Sequence, residues 1–352
     1  MIKRNKLKVI LQSIAVFTVL GCGLTSCKKF LPSNRDSLGT DSQFTQVEYN
    51  PVLGRNNLMN NNFNAGNASQ PLTFKIVGVR RANGDPAPEL TENFPVKVWK
   101  SPYLGTETTL AEIEAKRTIN YYPLLNIRAH NGAVEMWAES RSSFIRTAPD
   151  QGYLFDVEVS NSGGTRYFTN MVLKPMKERP YEPSNYNPTT GTATVPYVRP
   201  TAVNNIRGVK TSSFLSQSDV EVYFRKVVND EGEAIGNGNS ITMIFKDSLN
   251  NFIDPALFNK TDWPNLIHGF DMVKTTQHVK YNVAFPIPLI TYKTKYTNSD
   301  GSRARIALKY ERFGFGGIRE ESSLGFDFAL FEKGDWEIIF RFSGETPKFE
   351  ND

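Results

Sequence analysis

Two cysteines and three histidines in 352 residues are few for a protein that works through thiol or imidazole chemistry. His130, His268 and His278 stand in no His-x-x-x-His or His-Glu-x-x-His spacing, so a zinc centre would need scattered ligands. No Gly-x-Ser-x-Gly elbow occurs. Gly314-Phe315-Gly316-Gly317 lacks the Lys-Ser/Thr that completes a phosphate loop and reads as a turn or bulge between strands. Adjacent carboxylates such as Glu320-Glu321 point to opposite faces of a strand and read as a solvated pair. The sequence therefore predicts no metal, no cofactor and no catalytic residues. A dispersed Ser/His/Asp set would leave no spacing signature.

An excess of positive charge is also missing once the chain is divided. The formal charge is +5, but Lys3, Arg4, Lys6 and Lys8 lie in the first 26 residues, which hold no acid. Without those four, 37 basic residues face 36 acidic ones. No basic helix or RNA-binding aromatic signature is present, which argues against a nucleic-acid partner.

Long apolar runs are absent except near the start. Residues 1–8 are basic, 9–20 mostly apolar and 21–26 small, the layout of an export signal. As a helix the apolar core would be about 18 Å long, short of the roughly 30 Å hydrocarbon layer. The small zone ends in Leu24-Thr25-Ser26-Cys27, which resembles the bacterial lipobox. That resemblance implies lipid attachment to Cys27, cleavage before it, and a membrane partner reached through the anchor. Val19-Leu20-Gly21-Cys22 fits the same pattern in part, but it cuts inside the apolar core. With Cys27 as the acceptor, Cys22 is discarded, leaving neither a free thiol nor a disulfide. The fold must then hold by burial alone.

After the 1–26 signal, residues 27–45 show no sustained period and read as a flexible tether. Residues 46–180 read as a β-rich domain. In "LLNIRAHNGAVEMWAE", alternating Leu125, Ile127 and Ala129 meet alternating Val134, Met136 and Ala138 across Asn131-Gly132, a strong hairpin signal. "GYLFDVEVSNSGGTRYFTNMVLKP" repeats the plan, with Tyr153, Phe155, Val157 and Val159 on one face. A short helix is expected at 109–117, capped by Thr109 with Glu112 three residues on. Residues 181–205 carry four prolines and read as a linker. In 206–352 the segments "DVEVYFRKV", "SITMIFKD", "VKYNVAFPIPLITYKTKYT", "RARIALKYERFGF", "LGFDFALF" and "DWEIIFRF" read as strands. A second short helix is expected at Asp254-Pro255. The fold class expected is all-β, as two antiparallel Ig-like β-sandwich domains in tandem, with a single larger barrel or jelly roll as the alternative.

Aromatics are the remaining handle on function, because an exposed ring can stack on the apolar face of a sugar whereas a buried one fills a core. Trp137 and Trp336 read as core. Trp263, in the polar stretch "NKTDWPNLIHG", reads as a loop residue open to a ligand. Tyr121-Tyr122, before Pro123, is the second candidate.

Long phrases of the chain, "SCKKFLPSNRDSLGTDSQFTQVEYNPVLGR", "PLTFKIVGVRRANGDPAPELTENFPVKVWK", "GYLFDVEVSNSGGTRYF" and "RPYEPSNYNP", resemble an uncharacterised Bacteroidetes lipoprotein family, domain of unknown function 5007. The resemblance carries no catalytic motif. It implies an outer-membrane lipoprotein associated with glycan uptake, whose partners would be a polysaccharide or a transporter and binding-protein complex. Surface-exported lipoproteins of that phylum often carry acidic residues after the lipidated cysteine. Lys28-Lys29 stand there instead, which leaves the cell surface and the periplasmic face both open.

Overall fold

The computed structural model describes residues 36–233 and 235–352. Among them the class is all-β. The first half contains Gln43–Phe44 (β1), Glu48–Tyr49 (β2), Asn57–Met59 (β3), Phe63–Asn64 (β4), Thr73–Arg81 (β5), Asn93–Trp99 (β6), Arg117–Pro123 (β7), Leu125–Ile127 (β8), Val134–Met136 (β9), Tyr153–Asn161 (β10) and Gly164–Leu173 (β11). The second contains Tyr181–Glu182 (β12), Ala202–Asn204 (β13), Val220–Lys226 (β14), Asn239–Lys246 (β15), Gly269–Lys274 (β16), His278–Val283 (β17), Ala304–Phe313 (β18), Arg319–Leu330 (β19) and Gly334–Phe342 (β20).

The first half is built on a four-stranded sheet ordered β2-β11-β10-β5. Strict alternation sets its inner face: Tyr153, Phe155, Val157 and Val159 of β10 are all fully buried. Asn161 faces Gly164 across the expected β10–β11 turn. The β8–β9 hairpin forms as expected, with Gly132 at a φ of 68°, where glycine is unstrained. It belongs to a small sheet ordered β3-β9-β8. The helix Leu110–Ala115 (α2) follows Pro88–Thr91 (α1) in the chain. Its cap is the expected one: Glu112 N–H donates to Thr109 Oγ1 at 3.1 Å.

The second half is sandwich-like. A five-stranded sheet ordered β14-β20-β15-β17-β16 faces β18 and β19. Phe340 of β20 meets Phe326 of β19 edge to face at 5.7 Å, and Phe245 stacks on Phe340 at 5.5 Å. Ala304, Ile306, Leu308 and Tyr310 alternate inward along β18, and the same register carries Arg312 inside. Its guanidinium is met there by Glu320 at 2.6 Å and Asp352 at 3.0 Å, as a buried charge requires. The Asp254 cap also forms, with Ala256 N–H donating to Asp254 Oδ1 at 2.8 Å.

Three expectations change. The pairing is not purely antiparallel: β2 runs parallel to β11 and β15 parallel to β20. The strand expected across "VKYNVAFPIPLITYKTKYT" stops at Val283, because Pro286 and Pro288 offer no N–H to a ladder. Both supposed connectors are folded where they are described. Phe44 is buried against Phe63 and Phe168, and Arg166 donates to the carbonyls of Gly39 and Ser42 at 2.7 and 2.8 Å. Of 181–205, β12 and β13 both pair with β19, and the Tyr181 ring stacks on Phe224 at 4.2 Å. Aromatic burial outweighs the prolines and polar residues that suggested loose chain in both segments.

Candidate functional site

Cys27 lies outside the described residues. Tyr121 and Tyr122 share β7, so their side chains leave on opposite faces. Tyr122 turns inward and stacks on Trp137 at 5.6 Å. Tyr121 turns outward and is 66% exposed, directly across from Pro95 of β6. Ile119 lies exposed on the same outer face. The β6–β7 hairpin thus presents a flat, apolar, outward-facing ring on a paired strand.

Trp263 is only 7% exposed, which removes the stacking role expected of it. It opens a 3-10 turn, Trp263–Asn265, and its indole packs on Phe245 at 6.0 Å. Its carbonyl accepts from Tyr281 Oη at 2.6 Å. The polar neighbours Asn259, Lys260, Thr261 and Asp262 concealed an apolar set at Trp263, Leu266 and Ile267, all buried. That i, i+3, i+4 spacing was the available signal of a buried turn.

Two features were not legible as sites. The first is a cleft of about 420 Å³ between β5 and β8, within the usual 300–1,000 Å³ range of small-ligand sites. Both strands are sheet edges, and Phe74 N–H joins them at one end by donating to the Ala129 carbonyl at 2.8 Å. Phe74, Leu90, Leu125 and Ile127 give it an apolar lining. Pro123, at the end of the strand that carries Tyr121, also lines it. Alternating Leu72, Phe74 and Ile76 mark a strand in "LTFKI", but nothing local says that its outer edge stays open.

The second is a polar knot where the halves meet. Tyr103, Ile113, Phe270 and Ala284 form a third apolar core there. His268 Nε2 faces the Glu107 carbonyl at 2.8 Å, so that nitrogen carries the proton. Nδ1 then accepts from the Tyr103 hydroxyl. Tyr296 stacks on the imidazole at 4.7 Å, and Tyr292 Oη donates to the Tyr103 carbonyl at 2.6 Å. Burial lowers the His268 pKa and raises that of Tyr103. Burial also pushes Glu107 up, but the Lys116 ammonium and the Leu104 N–H outweigh it and hold the carboxyl at about 2. The adjoining cavity is about 30 Å³, room for one water and for no organic substrate. With both ring nitrogens engaged, the pair works as a latch between the halves.

Among the described residues, no group of three His, Cys, Asp or Glu side chains is placed to hold a metal ion. No described helix is long and apolar enough to cross a membrane. No curated protein matches the chain. The profile of a domain of unknown function, DUF5007, matches residues 63–351, which span every element from β4 onward. The chain belongs to the DUF5007 family.

Proposed function

We propose that this chain is a lipid-anchored outer-membrane protein of Bacteroidetes that acts without catalysis, as a binding or accessory component of glycan uptake. The anchor rests on Leu24-Thr25-Ser26-Cys27 behind a short apolar core. Ligand binding rests on one observation above all: Tyr121 stands outward on a paired strand whose end borders the β5–β8 cleft. A ring held on a strand loses little freedom when a sugar stacks on it. The cleft beside it offers an apolar floor for the rest of the ligand.

Two measurements test this. Cys27→Ala is expected to accumulate an unlipidated precursor; continued incorporation of labelled palmitate would refute the anchor assignment. For the ligand, residues 28–352 are screened on a glycan array, and hits are measured by calorimetry. Tyr121→Ala should weaken a hit about tenfold, the scale of one aromatic stacking contact. Silence across dietary and cell-wall polysaccharides rules out direct glycan recognition. A transporter that co-purifies from solubilised outer membrane, without glycan affinity, would assign the chain to assembly instead.

A further inference from the structure

The end of the second half remote from the first gathers apolar side chains that no described residue covers. The β18–β19 turn carries Phe315, 89% exposed, and Ile318, 68% exposed, with Phe313 half-exposed beside them. Phe214 lies close by, because Arg207 sits over its ring at 4.0 Å and reaches Glu320 at 3.5 Å. Val209 follows in the same loop and is tied through its N–H to the Thr346 carbonyl at 2.9 Å. Leu249, 74% exposed, extends the set, its neighbour Ser248 meeting Thr346 at 3.2 Å. Three loops far apart in sequence thus converge on one apolar end. The first half contacts the opposite end of the same strands, where Arg55 covers Phe331 just beyond β19.

We infer that this apolar end is a self-association surface, and that its occupant is a second copy of the chain. Area is the first argument. At about 150–250 Å² for a large aromatic side chain, and somewhat less for an aliphatic one, the exposed fractions amount to roughly 700 Å². A typical monomer's largest apolar patch is about 300–600 Å². One partner of a standard interface contributes about 800 Å². Order is the second argument. The turn is held by Gly314 N–H to the Ile318 carbonyl at 2.8 Å and Gly317 N–H to the Gly314 carbonyl at 3.0 Å. Gly316 and Gly317 supply the positive φ angles, 75° and 76°, that let so short a turn project Phe315. With the backbone of the turn already fixed, docking has only side-chain freedom left to restrict there.

Charge is the third argument, and it separates a second copy from a lipid surface. The rim is of mixed sign: Arg319 pairs with Glu311 at 3.3 Å, Lys309 with Glu321 at 3.6 Å, and Glu345 accepts from Thr211 Oγ1 at 2.7 Å. A bilayer contact draws on an excess of Lys and Arg, and this rim has none. Because these cations and acids already balance one another within one copy, the rim carries no excess of one sign that would repel an identical rim across a two-fold axis.

Sedimentation velocity on residues 28–352, which include every described element, is expected to show a dimer at micromolar concentration. Phe315→Ser with Ile318→Ser should return a monomer with unchanged circular dichroism and Tm, since neither side chain is buried. Tyr167→Ser, exposed on β11 in the other half, should leave the dimer intact. A wild-type monomer throughout the range, or a dimer that survives the double substitution, overturns the inference. So does a monomer that floats with phospholipid vesicles and loses that property with Phe315, because the surface would then be a lipid contact.

Discussion

Phe326→Ala is expected to lower the free energy of unfolding by about 3–5 kcal/mol, the usual cost of emptying a buried phenylalanine site. The ring is fully buried between the two faces of the second half. It touches Phe224 at 5.9 Å, Phe328 at 5.8 Å and Phe340 at 5.7 Å, so three other aromatics lose a partner together. These rings sit on β14, β19 and β20, whose paired backbones cannot close over the hole without leaving their registers. Partial collapse is what softens such substitutions, and here the sheets oppose it. Urea unfolding followed by tryptophan fluorescence measures the loss. A change under about 1 kcal/mol would mean that the two faces are not packed through this ring.

The second large effect belongs to the junction and depends on pH. Glu107 is held at about 2 in the folded chain, against an ordinary 4.5. The unfolded chain therefore takes up the proton first as the solution is acidified. The stability the carboxylate supplies is complete above about 4.5 and is lost as pH falls through the interval down to about 2. A shift of that size corresponds to roughly 3 kcal/mol. Glu107→Gln should remove that contribution, costing most at neutral pH and little at the acid end. The unfolding midpoints of wild type and variant should therefore converge on acidification. A gap that stays constant with pH would show that the carboxylate's charge is not what Lys116 and Leu104 hold. His268 acts in the same sense at higher pH. Its pKa is lowered by burial, so its contribution is intact above about 6.5 and declines as pH falls below that value.

What could be read in advance was what alternation and turn chemistry encode. Tyr153 to Val159, the Asn131-Gly132 turn and the Thr109 cap all act over a few residues, and each stands where its neighbours put it. Tyr121 and Tyr122 stand together in the sequence as ligand candidates, and only β7 separates them, leaving Tyr121 outward and stacking Tyr122 on Trp137. The parallel contacts of β2 and β15, the open edge of β5 and the meeting of His268 with Tyr103 join residues too far apart for any local pattern to record. Trp263 failed for a different reason. Its neighbours in the sequence are polar, whereas its burial follows from a turn that sends Leu266 and Ile267 the same way. Arg312 was also hidden, because a charge at an inward position of β18 makes sense only once Asp352 is seen beside it.

The strap formed by β12 and β13 bears on how such a chain can be divided and inherited. Pro180 accepts from Phe331 N–H at 2.8 Å, Tyr181 faces Leu330, and Ala202 to Asn204 face Gly325 to Ser323. A cut after residue 205 would take the Tyr181 ring off Phe224 and leave the outer edge of β19 bare. The second half is therefore not a cassette that begins at residue 206. Recombination at that point would yield a fragment with an exposed aromatic face and an unpaired edge, the combination that drives aggregation. The strap belongs with the second half, whose pairing begins at Pro180 rather than at residue 206.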